Sequence, residues 1–251
     1  MYEHHKESIE KMIEHYRENP EIVALFLVGS VATETAREDS DIDGVAIVAK
    51  EIVDRKRQNE GTEECVHGKC TYPAGYFNIH YMSKEDLIRL GESGSEPMRN
   101  LFNCFQTLYS DDPELPKLAE KIPIFQDEEA DRKKFKFYCT MKQFHRYFWL
   151  SCKPEGFMRF HVADGIIFNL YRLILSENRI LFPSMRKLEE SVINAPKKPD
   201  KIVELCHRFM KSLSDEDCQA IIDGYENWTT YEYTKKSSDI MNNFADQWEW
   251  Q

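Results

Sequence analysis

The residues of this chain best suited to chemistry lie between Leu25 and Val48. An apolar run, Leu25-Phe-Leu-Val28, leads into Gly29-Ser30, and about ten residues later Asp41-Ile42-Asp43 opens a second apolar run that ends at Val48. On a strand, residues i and i+2 share a side. Asp41 and Asp43 therefore present two carboxylates together while Ile42 points into the core. Two hard oxygen donors at that spacing suit Mg²⁺, whose other positions go to water and phosphate oxygens. Gly29 at the strand end lets the backbone approach a ligand closely, and Ser30 adds a hydroxyl. A helix starting there turns free N–H groups and its positive end toward an anion such as a triphosphate. Read more plainly, Asp39-Ser40-Asp41-Ile42-Asp43-Gly44 is a polar turn ahead of a strand.

The elements that must position these groups fall into two parts. Before residue 125, short β-rich runs appear at Ile22–Val28, Val45–Val48 and Tyr76–Tyr81. Residues 2–18 carry Ile9, Met12, Ile13 and Tyr16 at helical spacing, and Ser83-Lys-Glu-Asp reads as an N-cap with acidic residues in the first turn. Asp111-Asp-Pro-Glu-Leu-Pro and the stretch from Pro123 to Asp131 are polar and Pro-interrupted, as a linker would be. Beyond them, Phe137, Met141, Phe144 and Phe148 make one apolar helical stripe, and Ile166, Leu170, Leu173 and Ile174 another. Pro154, Pro183, Pro196 and Pro199 punctuate these patterns. The expected class is α+β: a mixed sheet with flanking helices over residues 1–125, then an all-α bundle over 126–251.

The order strand, Gly-Ser, gap, Asp-x-Asp, strand, with Ser40 ahead of the pair, resembles the signature of the nucleotidyltransferase superfamily that includes DNA polymerase beta and the antibiotic-modifying nucleotidyltransferases. The resemblance covers roughly residues 22–81. It implies that Asp41 and Asp43 hold one or two Mg²⁺ ions. Gly29, Ser30 and Ser40 would hold the phosphates of a nucleoside triphosphate, ATP foremost. An acceptor hydroxyl then attacks the α-phosphorus in line and pyrophosphate leaves. Catalysis of this kind is mostly positioning and neutralisation of charge.

The family places a third carboxylate on a neighbouring strand. The matching run here, Tyr76-Phe-Asn-Ile-His-Tyr81, alternates so that Tyr76, Asn78 and His80 share one face. Asn78 offers a neutral oxygen ligand in place of the acid. His80 offers a ligand or a proton acceptor near neutral pH, or both residues merely hydrogen-bond their neighbours. The missing charge implies a weakly held second metal, a different source of the nucleophile, or a chain that binds nucleotide without catalysis.

In the second half, His161, Asp164, Phe168 and Arg172 follow helical steps along one face. A carboxyl in that apolar helix is either a desolvated, strengthened catalytic base or a partner to His161 or Arg172. Asn178, then Phe182-Pro183, then Lys187 look similar to a segment of the antibiotic-type members. The likeness implies that Asn178 and Lys187 help bind the triphosphate; otherwise they cap a helix and sit in solvent. Cys65, His67 and Cys70 offer three zinc ligands within six residues, where structural sites usually want four, and Gly68 fits a hairpin turn equally well. The aromatic C-terminus (Trp228, Tyr231, Tyr233, Trp248, Trp250) reads as packing within the bundle or against another subunit, in keeping with a homodimer.

Composition narrows the partners. The chain has 251 residues, 41% apolar and 12% aromatic, which excludes natively unfolded and low-complexity classes. No run approaches a membrane span, and the first residues lack the apolar core of a signal peptide, so a soluble, cytoplasmic protein is expected. Seven scattered cysteines are too few and too odd for a disulfide framework and should be mostly buried thiols. A net charge of −11 repels nucleic acid and favours a cationic acceptor, though many acidic chains are so only for solubility. The expected reaction is transfer of AMP from ATP to a hydroxyl of a small molecule, an aminoglycoside- or lincosamide-type acceptor held by acidic groups between the two domains. A protein hydroxyl (Tyr, Ser or Thr) is the alternative acceptor.

Overall fold

The structure, a computed structural model, describes residues 1–245, so Trp248 and Trp250 lie outside the described residues. The chain divides into two compact units, Met1–Ile124 and Phe125–Gln251. The class is α+β: a mixed sheet with flanking helices, followed by helices alone.

The first unit is built on five strands: β1 (Ala24–Leu27), β2 (Ile42–Ile47), β3 (Glu63–His67), β4 (Tyr76–Met82) and β5 (Gln106–Ser110). Their order is β3-β4-β2-β1-β5; β2 and β4 run parallel and the remaining neighbours antiparallel. β1 is buried along its whole length, consistent with its unbroken apolar sequence in a sheet covered on both sides. One face packs Leu25, Leu27, Ile42, Ala46, Phe77 and Ile79 against Ile9, Met12 and Tyr16 of α1 (Glu3–Arg17). The other packs Phe26, Val45 and Ile47 against Leu87 and Leu90 of α4 (Lys84–Ser93). Ser83 closes the first turn of α4 with a capping box: its hydroxyl accepts the Asp86 N–H and the Asp86 carboxylate accepts the Ser83 N–H. The remaining helices of the unit are α2 (Gly29–Ala32), α3 (Lys50–Asn59), α5 (Glu96–Asn100) and α6 (Glu114–Ala119).

The stretch at Asp111–Pro116, expected to be linker, instead enters α6. Pro116 sits in the first turn, where its missing N–H has no acceptor to lose, and Leu115 and Ala119 are buried in the sheet core. Arg99, 1% exposed, holds this end of the unit by donating from Nε to the Ile122 carbonyl at 2.9 Å and from a terminal nitrogen to that of Ile124.

The second unit comprises α7 (Asp127–Gln143), a π-helical continuation over Phe144–Ser151, α8 (Gly156–Glu177), α9 (Leu188–Asn194), α10 (Ile202–Ser212), α11 (Asp215–Trp228) and α12 (Ser237–Ala245). Phe137 and Met141 of α7 meet Ile166, Leu170, Leu173 and Ile174 of α8 in its core. In the π-helical turn His145 is 3% exposed with neither ring nitrogen partnered, and burial pushes its pKa down to about 4. Trp228, Tyr231 and Tyr233 pack against this core, Tyr233 stacking on Tyr138. Among the cysteines only Cys139, Cys206 and Cys218 are buried; Cys65, Cys104 and Cys152 are exposed, contrary to expectation, and all seven are free thiols. No helix of the described residues is long and apolar enough to cross a membrane.

Candidate active site

The first unit brings Gly29, Asp41, Asp43 and Asn78 to one end of one sheet face. β1 ends at Leu27, opposite Gly44 of β2, and the Val28 N–H then donates to the Asp43 carbonyl at 3.0 Å. That bond lays Gly29 across the Asp43 side chain. Gly29 has φ +70°, and a Cβ built on it would lie 2.1 Å from Asp43 Oδ2 and 2.9 Å from Asp43 Cβ. Glycine is therefore required twice, by its backbone conformation and by the carboxylate pressed against it. α2, a single turn, starts at this residue; Thr33 Oγ1 and the Thr35 N–H both donate to the Ser30 carbonyl and close it.

β2 begins at Ile42, so Asp41 stands just ahead of the strand and Asp43 on it, while Ile42 is fully buried. In the parallel pairing Asp43 lies opposite Asn78, whose Nδ2 donates to Asp43 Oδ1 at 3.3 Å. Asn78 Oδ1 turns instead to Cys65 Sγ, 3.8 Å away across the β3–β4 pair. The carboxamide thus meets the carboxylate as a donor; the oxygen expected as a metal ligand faces the other way. Tyr76, two residues earlier on the same face, has its pKa raised to about 12, chiefly by the Asp41 carboxylate. Asn78 places the Asp43 carboxylate on the face it shares with Tyr76, whose main electrostatic neighbour is Asp41.

The loop before Asp41 is pinned from three sides. Ser40 Oγ accepts the Arg37 N–H at 2.9 Å, the Tyr72 hydroxyl donates to the Ser40 carbonyl, and His4 Nε2 donates to the Glu38 carbonyl at 2.9 Å. Ser40, expected at the phosphates, therefore uses its hydroxyl to shape the turn. Tyr72 and Tyr76 were not singled out from the sequence. For Tyr76 a signal existed, because period-two alternation already placed it beside Asn78; for Tyr72, in an irregular segment, there was none.

His80 follows Asn78 on the same face of β4, opposite Val45 and Glu63 in register. The Cys65–Cys70 segment is a strand end and turn, with Gly68 at φ +73°. Cys65 faces Asn78, whereas Cys70 packs on the α1 side near Ser8 and Tyr72, so the three sulfur and imidazole groups do not converge. The described residues hold no cluster of three or more metal-ligating His, Cys, Asp or Glu side chains.

In the second unit the expected site residues make the following local contacts. Asp164 and His161 are exposed on α8. Arg172 lies over the Phe137 ring at 3.7 Å and the Phe168 ring at 5.2 Å. Asn178 caps α8: Nδ2 donates to the carbonyls of Ile174 at 2.7 Å and Lys197 at 2.6 Å, and Oδ1 accepts the Lys197 N–H at 2.9 Å. Both amide donors are thereby spent within the unit. Lys187 is exposed and paired with Glu190 at 2.7 Å.

Residues 10–114 match the family model described as Polymerase beta, Nucleotidyltransferase. No curated protein matches the chain. Among solved structures, a nucleotidyltransferase-like protein from Exiguobacterium sibiricum is similar at 13% identity and a TM-score of 0.50, over 88% of this chain and 73% of that one. A spectinomycin adenyltransferase AAD(9) from Enterococcus faecialis, solved with ATP and spectinomycin, gives 11% identity and a TM-score of 0.36 over 85% and 99% of the two chains. A toxin–antitoxin complex with AMP-PNP gives 17% and 0.28 over 49% and 90%.

Proposed function

We propose that the chain, whose residues 10–114 match the polymerase beta nucleotidyltransferase family model, transfers a nucleoside monophosphate, AMP from ATP foremost, to a hydroxyl of a small molecule. The observation that carries this reading is the pairing of Asp41 and Asp43 on one sheet face with Gly29 laid directly over the Asp43 carboxylate. Two carboxylates are a hard, anionic donor set that fits Mg²⁺, and the absence of a side chain on Gly29 is what lets its backbone lie against the Asp43 carboxylate. Asp41 and Asp43 would hold the metal, which when bound neutralises charge on the transferring phosphoryl group. Gly29 and Ser30 would seat the triphosphate.

The chain's own residues do the positioning. Asn78 donates to the Asp43 carboxylate and orients it, and Tyr76, on the same strand face, has Asp41 as its main electrostatic neighbour. Tyr72 and His4 anchor the loop that delivers Asp41. Preorganisation of this kind is where phosphoryl transfer gains most of its rate. The acceptor is read as cationic, an aminoglycoside or a related antibiotic, because a chain of net charge −11 steers cations toward itself.

A second reading is favoured by one contact. Asn78 stands opposite Asp43 as a neutral donor, and a site with two acids in place of three is suited to binding nucleotide without turning it over. ATP labelled at the α-phosphate, offered with Mg²⁺ to aminoglycosides, lincosamides and a cell extract, separates the outcomes. Label on a small molecule supports the proposal, and label on a polypeptide moves the acceptor to a protein hydroxyl. Nucleotide binding with no label transferred to any of them overturns it in favour of the second reading.

A further inference from the structure

Between the β3–β4 edge of the sheet and α4 lies a cavity of about 370 Å³, within the range of small-molecule sites. Arg57 of α3, Arg89 and Asp86 of α4, His80 of β4, Thr62 and Ser95 supply its polar lining. Its chemistry differs from that of the Asp41–Asp43 pair and from the charge of the chain as a whole.

The two guanidiniums are held by a single oxygen. Arg57 donates to Asp86 Oδ1 at 2.8 Å and Arg89 to the same atom at 2.7 Å. Asp86 Oδ2 is occupied by Ser83, accepting from its N–H and its hydroxyl at 3.0 Å each. Burial pushes the Asp86 carboxyl up, but the bonds from Arg57 and Ser83 outweigh it and hold the group below its usual range. Asp86 therefore neutralises one guanidinium and leaves one positive charge over. Arg57 also leans on Asp54 at 3.4 Å, but Asp54 is itself paired with Lys50. Glu63, opposite His80 in register, is exposed and not part of the lining.

A guanidinium uses five N–H donors in a rigid fork that matches the oxygens of carboxylate and phosphate. Two such forks, tied to one fixed carboxylate in a cavity that Thr62, Ser95 and His80 also line, form a preorganised set of donors. A cationic acceptor would be repelled here. We propose that this cavity is a binding site for a small anionic molecule carrying a phosphate or carboxylate group, separate from the nucleotide site.

The test is calorimetric titration of the full chain with inorganic phosphate and with citrate, without divalent metal and at constant ionic strength. Saturable binding of either anion is expected, phosphate alone marking a phosphoryl ligand and citrate alone a carboxylate one. Arg57→Gln and Arg89→Gln should each weaken that binding by about tenfold or more, as loss of one charge-assisted hydrogen bond does. The double variant should abolish it, and Asp43→Asn should leave it intact. Should the double variant not fold, Thr62→Val with Ser95→Ala, which leaves the Asp86 anchor whole, reports on the same cavity and should also weaken binding. Failure of both anions to bind, binding that survives loss of the guanidiniums, or binding that disappears with Asp43→Asn would overturn the proposal.

Discussion

Replacing Gly29 by alanine isolates the contact on which the candidate site is built. The new methyl must occupy a point 2.1 Å from Asp43 Oδ2, whereas ordinary van der Waals contact begins at 3.4 Å, so the carboxylate has to retreat by about 1.3 Å. The φ of +70° adds backbone strain of about 1–2 kcal/mol for any residue with a Cβ, and crowding of this kind adds about 1–3 kcal/mol more. Gly61 is the matched control: its φ is +87°, and nothing lies within 4 Å of the Cβ it would gain. Gly61→Ala should therefore show the strain alone. Urea unfolding should place Gly29→Ala about 1–3 kcal/mol below Gly61→Ala. Label transfer from ATP should fall by about a hundredfold in Gly29→Ala only, since ångström-scale misplacement of a catalytic group has that effect. If the two variants match in both stability and transfer, Gly29 does not lie against Asp43 and the derivation of the site is wrong.

Three further outcomes follow from individual side chains. Tyr76, raised chiefly by the Asp41 carboxylate, should ionise near pH 12 by ring-resolved NMR and return toward 10 in Asp41→Asn; because the folded value lies above the unfolded one, its contribution to stability is complete below pH 10 and disappears as the pH rises through 12. An unchanged value in Asp41→Asn would break the assigned contact. His145 has the opposite sign: with a folded value near 4 against 6.5, the unfolded chain takes the proton first. Stability is therefore complete above pH 6.5 and declines as the pH falls toward 4, by about 3 kcal/mol at most. The difference between wild type and His145→Leu across that window measures it, and parallel curves would contradict it. Arg99→Lys, which cannot reach two carbonyls with one fork, should destabilise the first unit by about 3 kcal/mol in urea; a change under about 1 kcal/mol, the level of one ordinary hydrogen bond, would mean that the paired contacts are not made.

What could be read in advance depended on short range. Gly29-Ser30, Asp41-x-Asp43 and the Ser83 cap are patterns of one to a dozen residues, and each maps onto one strand end or one helix turn. The face shared by Tyr76, Asn78 and His80 follows from the two-residue period alone. What was not legible needed the partner. That Asn78 stands opposite Asp43 is a consequence of parallel β2–β4 register, which a separation of 35 residues along the chain conceals. The Gly29 contact depends on the antiparallel β1–β2 register together with the turn from β1 into α2. Asn178 is tied to Lys197, 19 residues on, and Asp164 is exposed on α8; helical spacing defines a face without saying which way it looks. Pro113 and Pro116 suggested a break, yet prolines in a first helical turn are compatible with α6, and Leu115 and Ala119 were the better signal.

Incorporation of α-phosphate label from ATP, with Mg²⁺ and an accepted hydroxyl compound, by wild type, Asp41→Asn and Asp43→Asn tests the central claim most directly. Both variants should keep the wild-type far-ultraviolet dichroism and lose transfer by about a thousandfold or more, the scale expected when a preorganised charge facing the reacting group is removed. Transfer near the wild-type rate in either variant, with the fold intact, would contradict the assignment of these two carboxylates as the metal-holding pair.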